Sequence, residues 1–358
     1  GGAWPDITVA LRTGDTPQSQ RAAIAKHPPH ILITTPESLN LMLTSATRTA
    51  LATARFVIVD EVHALAGSKP GTFLALLLER PEAERAALDS AKYRLKIAPG
   101  VYVPTQPAGP LVTTGLSATA RPEDTIAHWL AGNDDAGRPR PIQVLPAGQR
   151  KRLDIGVICP FSTTDDEEEA ALDPEEKKRR PVGHWREVTR SVLQMIRDHH
   201  STLVFGNSRR LVERLAAKFQ DELLAEAEYH EKHPDQPLPP PPVILPHHGS
   251  IAREVRLETE QKRKRGEVDA VLATSSLELG IDVGALDLVI QVDSPGNVAS
   301  ALQRVGRAGH LEKATAKGRL LARGLAELPG FAALVPLMYA GHVEETRIPQ
   351  NPLDVLAQ

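Results

Sequence analysis

The chain has 358 residues, enough for about two domains that each bury their own core. Its 42 basic and 45 acidic residues leave a net charge of −3, which excludes a surface that attracts polyanions at large; a nucleic-acid site must be a local patch or be built from backbone amides and hydroxyls. A single cysteine, Cys159, excludes an internal disulfide framework and a cysteine-based zinc cluster, and 4% aromatic residues argue for backbone tracking over extensive base stacking.

No apolar run approaches the roughly 18–20 residues that span a bilayer, and an intracellular setting is expected. The first domain is expected from Gly1 to about Pro146. Strands at Thr8–Arg12, Ile31–Thr34, Phe56–Val59 and Leu111–Thr114 alternate with helical patterns, which implies a parallel sheet in an α/β fold. Arg12-Thr13-Gly14-Asp15 is a strand-to-helix turn. Thr34-Thr35-Pro36-Glu37-Ser38 is another, with Pro36 placed for a helix start and with amides and hydroxyls that suit a backbone phosphate.

Phe56-Val57-Ile58-Val59 reads as a buried strand and leads directly into Asp60-Glu61-Val62-His63. Paired carboxylates at the carboxyl end of a parallel strand lie where open α/β sheets bind ligands. Asp60 can hold Mg²⁺, usually through water, and Glu61 can orient or deprotonate an attacking water. An acidic helix N-terminus, favoured by the helix dipole, is the alternative reading. Gly67 to Thr72 reads as a loop, and Pro70 to Glu84 carries a leucine-rich helix. In Gly115-Leu116-Ser117-Ala118-Thr119-Ala120, the hydroxyls of Ser117 and Thr119 can link the carboxylate site to a neighbouring domain.

Residues 147–183 are expected to be a linker, with an extended segment at Arg152–Ile158, followed by a charged solvated loop. The second domain is expected over 184–324. Strands are expected at Thr202–Phe205, Val243–Leu245, Val268–Ala273 and Leu286–Val292. Asn207-Ser208-Arg209-Arg210 caps a helix to about Leu224, and Arg253–Arg265 reads as a charged helix. Asp235–Pro242 is a proline-rich loop. Thr274-Ser275-Ser276 is expected to cap a helix whose N-terminus can receive a phosphate. Residues 325–358 read as a helical exit.

Gln303-Arg304-Val305-Gly306-Arg307-Ala308-Gly309-His310 places two arginines three apart, and their permanent planar charge suits a transferring phosphoryl group. The order TTPES, DEVH, GLSAT, LVFGNSRR, ATSSLELGID, QRVGRAGH resembles a superfamily 2 helicase core. With HHGS at His247–Ser250 and RIPQNPLDVLAQ at Arg347–Gln358, nearly the whole chain resembles the large helicase-related (Lhr) family.

That resemblance implies two RecA-like domains, each a parallel sheet flanked by helices, with ATP and Mg²⁺ in the cleft between them and a winged-helix domain downstream. It implies catalytic roles for Asp60, Glu61, Arg304 and Arg307, and coupling roles for His63, Ser117, Thr119 and Gln303. Gly280 and Asp282 would join the two arginines at the nucleotide. Arg12, Thr35, Pro36, Glu37, Asn207, Arg209, His248, Thr274 and Ser275 would meet nucleic acid: single-stranded DNA, duplex DNA or an RNA–DNA hybrid. It further implies 3′-to-5′ movement in DNA repair.

The chain contains no G-x-x-x-x-G-K-[ST] loop. The first domain is therefore expected to be incomplete at its N-terminus, in an internal fragment that does not hydrolyse ATP alone. An RNA-processing DExH helicase and a non-catalytic nucleic-acid clamp stand as alternatives.

Overall fold

The computed structural model describes residues 6–51, 54–88, 94–98, 101–104, 111–134, 136–146, 151–160, 184–237, 239–248, 258–259, 261–262, 265–278, 286–309, 315–350, 352 and 355. Two compact units emerge: Gly1–Pro146 with Glu345–Gln358, and Ala147–Glu344. The segment 325–358, read as one exit, is thus divided between them. The Thr346 amide donates to the Arg121 carbonyl at 2.7 Å, which ties the last segment to unit 1.

Unit 1 begins with β1 (Val9–Arg12), α1 (Gln18–Lys26), β2 (Ile31–Thr34) and α2 (Pro36–Leu43). Next come β3 (Phe56–Val59), α3 (Val62–Ala66) and α4 (Lys69–Leu88). An antiparallel hairpin, β4 (Arg94–Ala98) with β5 (Val101–Pro104), precedes β6 (Val112–Gly115) and α5 (Glu123–Ala131). β1 pairs with β2 and β3 with β6, both in parallel. Val59, Val62, Ala66, Leu74, Ile126 and Leu130 form the buried cluster beneath the β3–β6 pair.

The residues Gly67 to Thr72, expected as a loop, are instead the junction of two helices. Ser68 Oγ donates to the Leu65 carbonyl at 2.8 Å and accepts the Gly71 amide at 3.1 Å. A proline in the first turn of α4 forfeits no helical hydrogen bond, so Pro70 starts the helix rather than breaking it. A Cβ on Gly71 would lie 1.8 Å from the Leu65 carbonyl oxygen, so only glycine fits this close approach.

Unit 2 holds a six-stranded parallel sheet in the order β7-β12-β11-β8-β10-β9. Its strands are β7 (Leu153–Ile158), β8 (Thr202–Gly206), β9 (Ile244–His247), β10 (Ala270–Ala273), β11 (Leu288–Val292) and β12 (Ala316–Leu321). Among the described residues, four helices accompany them: α6 (His184–Arg197), α7 (Arg209–Lys232), α8 (Val298–Val305) and α9 (Leu328–Ala340). Successive strand residues point to opposite faces. Leu203, Phe205, Val271 and Val289 therefore pack with Val298, Val305, Phe331 and Met338 of α8 and α9. Val204, Leu272, Leu288 and Ile290 pack with Val188, Val192, Leu215 and Phe219 of α6 and α7. Burial on both faces explains why these strands read as continuous apolar runs.

The expected linker contributes structure: β7 forms an edge of this sheet, paired with β12 over Leu153–Ile158. β12, whose sequence AKGRLL carries two charges, and the β4–β5 hairpin were not anticipated. α7 runs to Lys232, eight residues beyond its expected end at Leu224. Ser275–Leu277 is one short 3₁₀ turn, with Thr274 before it making no side-chain cap. The charged loop at 161–183 and most of the helix expected at Arg253–Arg265 lie outside the described residues.

Candidate active site

β3 ends at buried Val59, so Asp60 and Glu61 emerge where the strand leaves the core. The turn is tied to β6: the Leu116 amide donates to the Val59 carbonyl, and the Val62 amide to the Leu116 carbonyl, each at 2.9 Å. Asp60 Oδ1 accepts the Glu61 amide at 2.9 Å. Glu61 adopts φ 49°, a left-handed conformation that costs a non-glycine residue about 1–3 kcal/mol and that clusters at functional turns. His63 Nδ1 stands 2.7 Å from Ser117 Oγ and 3.7 Å from Glu61 Oε2. Ser117 Oγ also accepts the Thr119 amide at 3.3 Å.

Unit 1 thus gathers Asp60, Glu61, His63, Ser117 and Thr119 at one end of the β3–β6 pair. Asp60 is exposed and has carboxylate lone pairs beyond the one used internally, so it fits a hard cation such as Mg²⁺.

The expected strand contacts of unit 1 are placed differently. Arg12 occupies the inward position at the end of β1 and is 7% exposed, rather than facing outward. Burial, and then the neighbouring Arg21 guanidinium, lower its pKa. The turn after β1 is held by Arg21, a residue the sequence reading passed over. Its Nε donates to the Thr16 carbonyl at 2.7 Å, and its Nη2 to the carbonyls of Gly14 at 2.6 Å and Thr13 at 3.3 Å. Thr35 caps α2 by accepting the Ser38 amide at 3.4 Å, with Pro36 at the first helical position. Its hydroxyl proton can still be donated to a phosphate. Glu37 lies in the same first turn, where its charge opposes an anion.

In unit 2, Arg304 was expected to extend toward a phosphate. Its side chain is instead buried in a polar network. Nε and Nη2 reach Glu278 Oε2 at 3.0 and 2.9 Å, and Nη1 donates to Gln291 Oε1 at 2.7 Å and Asn207 Oδ1 at 3.0 Å. Its guanidinium carbon lies 5.4 Å from the Phe205 ring centroid, within cation–π range. With these partners the guanidinium is anchored at the end of the sheet. Arg307 is half-buried, and its Nη2 donates to the Glu278 carbonyl at 2.6 Å.

Asn207 is exposed, but its side-chain amide is engaged by the same network. Its Nδ2 donates to the Ser294 carbonyl at 2.6 Å, while Oδ1 serves Arg304 and, at 3.2 Å, Gln291. Arg209 Nε pairs with Glu213 at 3.0 Å on the exposed face of α7, and buried His248 Nε2 lies 3.6 Å from the same carboxylate oxygen. Thr274 and Ser275 follow β10, half-buried and exposed respectively, and Gln303 lies half-buried in the last turn of α8. Gly280 and Asp282 lie outside the described residues.

Sequence reasoning assigned no role to Glu278, Gln291 or Glu344. Gln291 carried a legible signal: a polar side chain within the apolar strand LVIQV, which burial obliges to find partners. Glu344 had none. Its carboxylate accepts the Val298 and Ala299 amides at 2.7 and 3.1 Å and so caps α8 from 45 residues away.

Two family models match the chain: DEAD/DEAH box helicase over residues 3–125, and helicase conserved C-terminal domain over residues 186–312. Among curated proteins, the chain is 39% identical to the Lhr helicase/uracil glycosylase of Escherichia coli, covering 99% of this chain and 22% of that protein. It is 36% identical to the ATP-dependent helicase Lhr-Core of Methanothermobacter thermautotrophicus, covering 99% and 36%. Among solved structures, the Mycobacterium smegmatis helicase Lhr bound to ssDNA and AMP-PNP superimposes with a TM-score of 0.74 at 42% identity, over 99% of this chain and 39% of that one. The DUF1998 helicase MrfA bound to DNA and AMPPNP, 20% identical with a TM-score of 0.69, shares the fold.

The matched models and the superposition define two RecA-like domains of the DEAD/DEAH-box helicase class. Within that class, the chain belongs to the large helicase-related (Lhr) family. It spans 22–36% of the length of these curated relatives.

Proposed function

We propose that this chain is the core of an ATP-dependent helicase that moves along single-stranded DNA. The observation that carries the proposal is the chain from Glu61 through His63 to Ser117, which joins the carboxylate turn after β3 to the end of β6. Asp60 would hold Mg²⁺, which when bound supplies charge neutralisation to the phosphates. Glu61 accepts a proton from the attacking water and orients it. Arg307, the less buried arginine of its turn, stabilises charge on the phosphoryl group. Arg304 braces that turn from the last turn of α8. Thr35 donates its hydroxyl to the strand backbone.

The ssDNA and AMP-PNP bound to the Mycobacterium smegmatis relative support the choice of ligands. The Lhr resemblance supports 3′-to-5′ polarity, action on RNA–DNA hybrids and a role in DNA repair.

The test is ATP hydrolysis by the whole protein that carries this core, with and without single-stranded DNA, beside Glu61→Gln and Arg307→Ala. Strand-stimulated turnover is expected. Loss of an arginine of this kind commonly costs on the order of 10³-fold or more in turnover. Strand affinity should persist in Arg307→Ala. Near-normal turnover in either variant would overturn the corresponding assignment. The 358 residues alone contain no phosphate-binding glycine–lysine loop and are expected to hydrolyse nothing.

A further inference from the structure

The turn that presents Arg307 is held from outside its own helix. After α8, Gly306 takes the C-cap position, where an added Cβ would meet the Leu302 carbonyl at 2.7 Å. Gly309 follows with φ 68°. Lys151 Nζ donates to the Gly306 carbonyl at 3.0 Å and to the Gly309 carbonyl at 3.1 Å. These two carbonyls bracket Arg307 in the chain. One ammonium, with three donors, bridges both.

We infer that Lys151 is a positioning residue for Arg307, bridging the carbonyls on either side of it so that the arginine is presented in one orientation. The inference rests on the reading of Arg307 as a phosphate-contacting residue.

Three observations support it. Lys151 is fastened at its base: the Ala316 amide donates to the Arg152 carbonyl at 2.8 Å, and β7 begins at Leu153. The ammonium therefore projects from a residue two positions before an edge strand. Arg307 is held on its other side by the Glu278 carbonyl, so the turn is gripped from both directions. Partial burial of the ammonium, and then the like charge of Arg307, lower the Lys151 pKa, although the residue as a whole is exposed. The mutual repulsion of the two cations is unfavourable in the free protein and is relieved by an anion beside them.

A plain helix C-cap would support the helix end and add nothing specific to turnover.

The experiment compares Lys151→Met, Lys151→Arg, Arg307→Ala and the double variant in the whole protein. Strand-stimulated kcat and KM for Mg-ATP, single-strand affinity without nucleotide, and the melting temperature are measured for each. Lys151→Met is expected to lower kcat roughly ten- to a hundredfold, the scale of a misplaced catalytic group. KM, strand affinity and melting should stay near wild type, and Lys151→Arg should restore most of the rate. The double variant should be no slower than Arg307→Ala, because a residue acting through another adds nothing once that other is gone.

A wild-type kcat in Lys151→Met beside a slow Arg307→Ala would sink the inference and leave the Arg307 assignment standing. An equal loss from Lys151→Met in both backgrounds would also sink it. A wild-type rate in Arg307→Ala would overturn both together.

Discussion

Glu278 and Arg304 form a buried ion pair, with the carboxylate oxygen of Glu278 2.9 Å from Arg304 Nη2. The pair sits under the arginine turn, since the main-chain carbonyl of Glu278 also receives Arg307. One residue thus holds the two arginines by two different chemistries. Glu278→Ala leaves the Arg304 charge buried with only neutral partners. Breaking a buried pair from one side costs about 3–5 kcal/mol. Urea unfolding should show a loss of that order, and a change under about 1 kcal/mol would show that the site readily admits water.

Gly71→Ala sets two effects against each other. In a helix, alanine is favoured over glycine by about 1 kcal/mol. The new methyl would lie 1.8 Å from the Leu65 carbonyl, a distance that forces α3 and α4 apart. Overpacking of this kind costs about 1–3 kcal/mol or more, so packing wins. A lower melting temperature is expected, and a stabilised variant would disprove the tight junction.

Ser117→Ala removes the hydroxyl that meets His63 Nδ1 at 2.7 Å. His63 is largely buried, so the lost bond should cost about 1 kcal/mol of stability. The larger consequence expected is functional. Hydrolysis should persist while strand displacement per ATP falls, because the turn after β3 and the segment after β6 no longer move as one. An unchanged ratio of displacement to hydrolysis would remove Ser117 from a coupling role.

Glu344 supplies a pH dependence. Burial raises its pKa, but the amides of Val298, Glu344 itself and Ala299 outweigh that and hold it below the ordinary glutamate value of 4.5. A carboxyl whose folded pKa is depressed contributes stability that is present above the unfolded value and lost as pH falls through the folded one. The wild type should therefore lose stability faster than Glu344→Gln as pH drops from about 4.5. Parallel melting curves across that window would exclude a cap by the ionised group.

Much of the fold was legible because its signals are local. Phe56–Val59 and Ile31–Thr34 were delimited by β-branched runs, and Ser208 by its position before a helical pattern; its hydroxyl accepts the Leu211 amide at 3.2 Å. β12 was missed because Lys317 and Arg319 interrupt its apolar run. Arg319 tolerates the sheet by turning to Asp154 on the neighbouring edge strand, at 3.2 Å. The helix expected from Pro70 is present and begins one residue earlier, at Lys69, so proline opens it rather than ending one.

The candidate site divides in the same way. Asp60, Glu61, His63 and Ser117 stood out by residue type and position after apolar runs, whereas the pairing of β3 with β6 that gathers them is a feature of the tertiary structure. Tertiary structure decided which way Arg12, Asn207 and Arg304 face. The partners of Arg304 come from the residue after β8, from β11 and from the segment after β10, up to 97 residues away in sequence. Whether a guanidinium is an anchor or a hand held out depends on what surrounds it. Those surroundings are assembled only when distant strands meet, since charge is a property of the residue and desolvation a property of the fold.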